Sequence, residues 1–202
     1  MSMFNLLARF ISFIFNPYLL ILPIPYLLVL RQTGDSLYSV KWAVFTICFL
    51  VAVGLSVFIL VKKGYFSDLD ISKREQRPLF FFLLIFFAII YFLSLYYFQA
   101  PIILFTALSG IFLSIVVFSY INTRIKASIH VASITGLIFS FSILYGGIFL
   151  LLIFLIPLIG WSRLKIHRHT KSEVYMGAFM GILIPLVMVI IFKVLLHISF
   201  KP

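Results

Sequence analysis

The sequence predicts an all-α membrane protein, a polytopic bundle of about six to seven transmembrane helices. Of its 202 residues, 64% are hydrophobic and 10% are charged. Soluble domains average about 45–50% hydrophobic residues and about 25% charged residues. The apolar residues come in runs of about 20, the length of a helix that crosses a hydrocarbon core ~30 Å thick. These runs lack the alternation that is typical of transmembrane β-strands. The composition therefore excludes an ordinary soluble domain and a disordered chain.

Seven apolar runs define the predicted spans. From the N-terminus they cover residues 10–31, 42–61, 79–98, 101–120, 131–145, 147–161 and 174–198. We expect the first span to bend at Asn16-Pro17 and near Pro23, because proline removes a helical hydrogen bond. The paired glycines Gly146 and Gly147 predict a turn between the fifth and sixth spans. We interpret residues 1–202 as a single integral membrane domain whose N-terminal spans occupy residues 10–61.

Three polar segments separate the spans and carry most of the positive charge. The first covers residues 62–78, the second 121–130 and the third 162–173. Two spans lie between each segment and the next, so complete crossings bring all three segments to one membrane face. Because cationic loops favour the cytoplasmic side, we expect this face to be cytoplasmic. The predicted location is the inner membrane of a bacterium, which the chain crosses several times.

The balance of charge indicates a partner that carries phosphate. The net charge is +11, from 16 Lys and Arg against 5 Asp and Glu. The cations cluster between spans and do not alternate with stacking aromatic residues, so we predict no nucleic-acid partner. A lipid phosphate or diphosphate, together with the membrane lipids themselves, fits this pattern. The single cysteine, Cys48, excludes a disulfide framework, and no Cys/His spacing indicates a metal. We therefore expect no metal and no cofactor.

The third polar segment offers a nucleophile and two groups that support it. If this segment opens the last helix, His169 and Glu173 lie four residues apart on one face. A carboxylate that accepts a hydrogen bond from one imidazole nitrogen leaves the other nitrogen as a nucleophile or base. Arg163, next to Ser162, carries a permanent charge on a planar fork that suits phosphoryl oxygens. The alternative is that Glu173 simply caps the start of a helix.

The other two segments contribute an anion site and further cations. Lys126, Ser128 and His130 occupy alternate positions before an apolar run, and a hydroxyl with backbone N–H groups at a helix start binds anions. His130 is the candidate that protonates a leaving oxygen. The first segment places Lys73 and Arg77 at the start of the third span. Phosphoryl transfer needs mainly positioning and charge neutralisation, and these residues offer both.

In order and spacing, the three segments resemble the motifs of the type 2 phosphatidic acid phosphatase (PAP2) superfamily of membrane lipid phosphatases. The family motifs are Lys-x6-Arg-Pro, Pro-Ser-Gly-His and Ser-Arg-x5-His-x3-Asp. The matching residues, in chain order, are Arg77, Pro78, Ser128, His130, Ser162, Arg163, His169 and Glu173. Glutamate replaces the family's final aspartate. The resemblance covers residues 70–175 or so and implies a PAP2-like core over about residues 70–198.

The resemblance implies a reaction and a role for each residue. His169 attacks phosphorus and forms a phosphohistidine, Glu173 orients it, and His130 protonates the departing lipid oxygen. The phosphate oxygens are held by the remaining polar residues, Lys73, Arg77, Lys126, Ser128, Ser162 and Arg163. The implied enzyme is a metal-independent phosphohydrolase. Its substrate is a phosphatidate-type or polyprenyl-diphosphate-type lipid, and its oligomeric state is left open.

Two other functions remain open. Asp70, Ala127 and Ile129 stand where the family has lysine, proline and glycine, so a non-catalytic protein that binds lipid phosphate is the first alternative. The second is a magnesium-dependent prenyltransferase-like enzyme, in which Asp68 and Asp70, with Glu75, hold the ion on a diphosphate. Such an enzyme normally uses a second acidic cluster, whereas this chain has a single acid beyond Glu75.

Overall fold

The computed structural model describes residues 3–192, and this part of the chain is 83% helical and contains no β-strand. Within it, six helical segments are long and apolar enough to cross a membrane, and a shorter apolar helix covers Ile129–Tyr145. The predicted all-α class is therefore confirmed, and the protein is a multi-pass membrane protein. The end of the last predicted span, at residue 198, lies outside the described residues.

Nine α-helices and two 3-10 helices follow one another along residues 3–192. The α-helices are α1 (Met3–Ile14), α2 (Pro17–Ile21), α3 (Ile24–Thr33), α4 (Ser36–Lys62), α5 (Arg77–Tyr97), α6 (Ile102–Asn122), α7 (Ile129–Tyr145), α8 (Leu155–Lys165) and α9 (Lys171–Ile190). The 3-10 helices cover Arg74–Gln76 and Gly147–Phe154. Helices α4 to α7 correspond to the predicted second to fifth spans. α4 begins earlier than predicted because Asp35 caps it, accepting the N–H of Tyr38 at 2.9 Å.

The predicted first span, 10–31, is divided by its prolines. α1 ends before Asn16, whose side-chain oxygen accepts the N–H of Tyr18 at 3.0 Å. A second break follows at Pro23, the N-cap of α3. The expected bends are therefore confirmed. The segment long enough to cross a membrane is Met3–Ile21. The predicted bounds are therefore wrong, because the break at Pro23 separates this segment from α3.

The predicted sixth span, 147–161, begins as a 3-10 helix of eight residues and continues as α8. A 3-10 helix rises about 2.0 Å per residue and an α-helix about 1.5 Å. The combined segment Gly147–Lys165 therefore reaches roughly 32 Å, which is enough for a hydrocarbon core ~30 Å thick. Gly146 precedes it with a φ of 98°, a conformation that glycine adopts readily, and this confirms the predicted turn.

Residues Ile21–Arg124 form one compact unit, which contains α3, α4, α5 and α6. Between α4 and α5, Thr46 Oγ1 lies 2.6 Å from the hydroxyl oxygen of Tyr91. Between α3 and α6, the side chain of Gln32 accepts the N–H of Ile103 at 3.0 Å. Polar contacts of this kind between apolar helices fix their register within the unit.

The other compact unit combines the N-terminal residues, as far as Leu20, with the chain from Ile125 onward. It contains α1, α7, α8 and α9. All four helices contribute to its core of buried aliphatic side chains, namely Ile11, Val131, Ile134, Ile138, Ile159 and Val174. The interpretation of residues 1–202 as a single domain stays a prediction.

α7 and α9 pack closely because glycines of α9 face the backbone of α7. A Cβ atom added to Gly177 would lie 2.5 Å from the carbonyl oxygen of Ser128, and one added to Gly181 would lie 2.7 Å from that of Ala132. From Gly177 to Gly181 the chain advances four residues along α9, and the residues they face advance four residues along α7 in the same direction, from Ser128 to Ala132. The two helices therefore run parallel. Their N-terminal ends, each preceded by a polar segment, therefore lie side by side.

We predict that Gly177→Ala destabilises the protein by roughly 1–3 kcal/mol. The added methyl group meets the backbone of Ser128 rather than a flexible side chain, so α9 must shift away from α7. Thermal unfolding in detergent measures the effect. Gly54→Ala in α4 is the matched control, because no neighbouring group lies within 4 Å of the added carbon and alanine favours a helix. Equal melting temperatures for the two variants would contradict the close packing.

Candidate functional site

His169 and Glu173 form a hydrogen-bonded pair at the start of α9. The imidazole Nδ1 of His169 lies 3.0 Å from Glu173 Oε2, and the same oxygen accepts the N–H of Thr170 at 3.0 Å. Thr170 is the N-cap, and Glu173 reaches back over it to complete a capping box. The His169 side chain is 2% exposed and that of Glu173 is 17% exposed. A buried histidine therefore lies against a carboxylate.

The predicted pair is present, but its two members are not neighbours on one helix face. α8 ends at Lys165, and His167 then adopts a positive φ of 55°, which turns the chain. His169 precedes α9, so the third segment does not as a whole open this helix, and the condition for a shared helix face is not met. The contact forms because the Glu173 side chain, at the third helical position, folds back toward the N-cap. The capping alternative is correct as well, since Glu173 makes both contacts.

Two hydrogen bonds join the second polar segment to the third. The N–H of Ser128 donates to the carbonyl oxygen of Glu173 at 3.0 Å. Lys126 Nζ donates to the carbonyl oxygen of Arg168 at 2.9 Å. Lys126, predicted to bind phosphate, thus also holds the turn that precedes α9. The first bond brings Glu173 next to the start of α7.

The N-terminus of α7 has the form of an anion site. Ser128 is the N-cap, yet its hydroxyl makes no capping bond, and Ser128 Oγ has no hydrogen-bond partner within residues 3–192. This side chain is fully buried. The first N–H groups of a helix have no partner inside it and carry partial positive charge. His130, 8% exposed, lies in the first turn of the same helix. The N-cap and the first turn of α7 therefore carry a buried hydroxyl and a buried imidazole.

Ser162 and Arg163, in the last turn of α8, are held by α1. Ser162 Oγ donates to the carbonyl oxygen of Ala8 at 2.8 Å, and Arg163 Nη1 donates to Ser12 Oγ at 2.5 Å. Both residues of α8 are buried. The motif resemblance did not indicate Ala8 or Ser12. Their signal in the sequence is a pair of small residues four apart in an apolar run, which is typical of helix contacts in membranes.

The turn between α8 and α9 brings the ends of these helices together. The N–H of Arg168 donates to the carbonyl oxygen of Arg163 at 3.1 Å. A Cβ atom added to Gly160 would lie 2.9 Å from Cγ1 of Val174, in the first turn of α9. One end of this unit therefore gathers the predicted site residues of the second and third segments, Lys126, Ser128, His130, Ser162, Arg163, His169 and Glu173.

Lys73 and Arg77 belong to the other unit, and their predicted contacts with phosphate stay predictions. Lys73 is exposed next to the short 3-10 helix. Arg77 is 4% exposed, and it donates to Asn122 Oδ1 at 3.0 Å and to the carbonyl oxygen of Ile71 at 3.3 Å. Within its unit, Arg77 thus ties the start of α5 to the end of α6. No local pattern relates Arg77 to Asn122, so this partner was missed.

The aspartates of the magnesium alternative make hydrogen bonds within their own loop. Asp68 Oδ1 accepts the N–H of Asp70 at 3.0 Å and the hydroxyl of Ser72 at 2.9 Å, and Oδ2 accepts the hydroxyl of Ser67 at 3.1 Å. Asp68 therefore closes a turn. Across residues 3–192, no three His, Cys, Asp or Glu side chains are grouped so that they could share a metal ion.

The candidate site in the unit of α1, α7, α8 and α9 combines a histidine–carboxylate pair with a helix N-terminus. When His169 donates its Nδ1 proton to Glu173, Nε2 becomes the basic nitrogen of the ring. Ser128 and the start of α7 attract negative charge to the same end of the unit. Comparisons with protein-family models, with curated proteins and with solved structures found no match to this chain. The PAP2 resemblance therefore depends on the motif residues and their geometry alone.

We predict that two substitutions separate the capping role of Glu173 from its charge. Glutamine at the third helical position keeps the capping box, whereas alanine loses it, at a cost of about 1 kcal/mol. In detergent, Glu173→Gln should melt near the wild-type temperature and Glu173→Ala about 2–4 °C lower. Both variants remove the carboxylate charge beside His169. A decrease for Glu173→Gln as large as that for Glu173→Ala would contradict the capping box.

Proposed function

We propose that this protein is a PAP2-type lipid-phosphate phosphohydrolase of a bacterial inner membrane. It removes phosphate from a phosphatidate-type or polyprenyl-diphosphate-type lipid without a metal ion. The observation that carries the proposal is the hydrogen bond from the Ser128 N–H to the Glu173 carbonyl oxygen, at 3.0 Å. This bond supports the proposal because it joins Glu173, the partner of His169, to the N-cap of α7, where we propose that the anion binds.

In this proposal the lipid phosphate binds at the start of α7. The hydroxyl of Ser128 and the first N–H groups of α7 donate to its oxygens. Arg163, at 3% exposure, adds a positive charge that solvent screens little, because burial lowers the local dielectric constant. The lipid chain stays in the membrane beside the apolar helices. Binding therefore neutralises the phosphate before any bond changes.

Phosphate removal then takes place in two in-line displacements at phosphorus. First, the lone pair of His169 Nε2 forms a bond to phosphorus, and the bond to the leaving oxygen breaks with its electron pair on that oxygen. Protonated His130 gives its proton to this oxygen. Second, a water oxygen forms a bond to phosphorus, and the bond from phosphorus to His169 Nε2 breaks with its electron pair on that nitrogen. The proton of the water goes to His130, and inorganic phosphate leaves. Glu173 holds the imidazole of His169 in one orientation throughout, as the carboxylate does in a Ser-His-Asp triad.

We predict that His169→Ala abolishes phosphate release, because it removes the nucleophile. Purified protein in detergent is supplied with lipid monophosphates and diphosphates, and inorganic phosphate is measured. His167→Asn is the matched control, since His167 is exposed and asparagine tolerates its left-handed conformation. Release by His169→Ala at the wild-type rate would overturn the mechanism.

Two further observations in the same assay separate the alternatives. An acid-labile phosphohistidine trapped on the wild-type protein, with activity retained in excess EDTA, supports the proposal. Activity that EDTA removes would favour a magnesium-dependent enzyme. Orthovanadate binding without any turnover would identify a non-catalytic protein that binds lipid phosphate.

We predict that the effect of His130→Ala depends on the leaving group. With a lipid phosphate, loss of the general acid lowers kcat/KM by roughly 10²–10⁴-fold. With p-nitrophenyl phosphate, whose leaving oxygen needs no proton, the decrease should be much smaller. The measurement is kcat/KM for both substrates in wild-type and variant protein, because this ratio reports the step in which the leaving group departs. An equal decrease for both substrates would contradict a general-acid role for His130.

A further inference from the structure

We propose that α1 belongs to the phosphate site and that Ser12 is a positioning residue for Arg163. The inference rests on the proposed function, because that function assigns Arg163 an anion to bind. It extends the site to a helix outside the motif resemblance, which begins near residue 70. The contact lies entirely within the unit that contains α1, α7, α8 and α9.

Two hydrogen bonds connect one turn of α1 to the last turn of α8. Ser162 Oγ donates to the carbonyl oxygen of Ala8 at 2.8 Å, and Arg163 donates through Nη1 to Ser12 Oγ at 2.5 Å. Ala8 and Ser12 are four residues apart, so they share a face of α1. Ala8 is 0%, Ser12 is 6% and Arg163 is 3% exposed. The guanidinium is therefore held where little water reaches it.

The chemistry of the acceptor at position 12 suits a residue that orients a cation. A serine hydroxyl accepts a hydrogen bond without a negative charge, so this bond places no anion beside Arg163. A carboxylate at the same place would form a salt bridge and compete with phosphate for the guanidinium. Ser12 thus orients Arg163 without adding a negative charge next to it.

The other side of α1 shows why a hydroxyl at position 12 is notable. Seven large apolar side chains of this helix are exposed, namely Met3, Phe4, Leu6, Leu7, Phe10, Phe13 and Ile14. In a helix that contacts lipid, a polar side chain turned toward the protein interior is costly unless it has a partner there. Ser12 is turned inward and is bonded to the arginine of the third motif. This placement connects the N-terminal helix to the proposed phosphate site.

The test compares three variants in the phosphate-release assay. Ser12→Ala removes the acceptor, Ser12→Thr keeps a hydroxyl, and Ser142→Ala is the matched control, because the Ser142 hydroxyl donates to the Ile138 carbonyl oxygen of its own helix. For Ser12→Ala we expect KM for the lipid phosphate and the Kd for orthovanadate to rise roughly tenfold, since hydrogen bonds to charged groups have this strength. Ser12→Thr and Ser142→Ala should stay near wild type.

A fourth variant, Ser12→Asp, separates positioning from a merely structural bond. Aspartate still accepts from Arg163, so a structural role predicts normal binding of orthovanadate. Our inference predicts weaker binding, by tenfold or more, because the new carboxylate cancels the charge that attracts the anion. Melting temperatures in detergent show which variants are folded. If Ser12→Asp does not fold, the comparison of Ser12→Ala with Ser12→Thr decides the question.

The outcomes distinguish this inference from the proposed function. The function stands if wild-type protein releases phosphate and His169→Ala does not. In that case, the inference is overturned if Ser12→Ala binds like wild type. It is also overturned if Ser12→Thr fails to restore binding. If wild-type protein binds orthovanadate without turnover, the function fails, and the Kd values of the Ser12 variants decide the inference. If it neither releases phosphate nor binds orthovanadate, both fail.

Discussion

The close approach of α9 to the start of α7 is the constraint on which the candidate site depends. Gly177 has no side chain between the two backbones, and the carbonyl group of Ser128 occupies that space. Only at this separation can the Ser128 N–H reach the carbonyl oxygen of Glu173. Because backbone atoms make the contact, its length does not depend on flexible side chains. The contact therefore sets how near His169 lies to the helix start that would hold an anion.

One carboxylate oxygen serves both the fold and the site. Glu173 Oε2 accepts the N–H of Thr170 at the start of α9 and also bonds to Nδ1 of His169. The structural and functional interpretations of this acid are therefore not alternatives, since the capping geometry itself directs the oxygen toward the histidine. A residue at this position must be long enough to reach back over the N-cap. Glutamate meets that demand.

The two buried arginines of the predicted site have neutral partners among their hydrogen bonds. In one unit Arg163 donates to the hydroxyl of Ser12, and in the other Arg77 donates to the side-chain oxygen of Asn122. Burying a guanidinium is costly unless its donors are satisfied. The hydroxyl of Ser12 and the amide oxygen of Asn122 each satisfy one of these donors. Each arginine also connects helices that are distant in sequence, so each helps to hold its own unit together.

The sequence by itself determined the helical membrane class, most of the spans and the chemical types at the site, because run length and composition are local properties. It also indicated the His169–Glu173 contact from their spacing, although the turn at His167 and the cap at Thr170 gave that contact a different geometry. Only the tertiary structure decided that Ser128 meets Glu173, that Ser12 holds Arg163 and that Asn122 holds Arg77. These partners are far apart along the chain, and only the packing of helices brings such residues together.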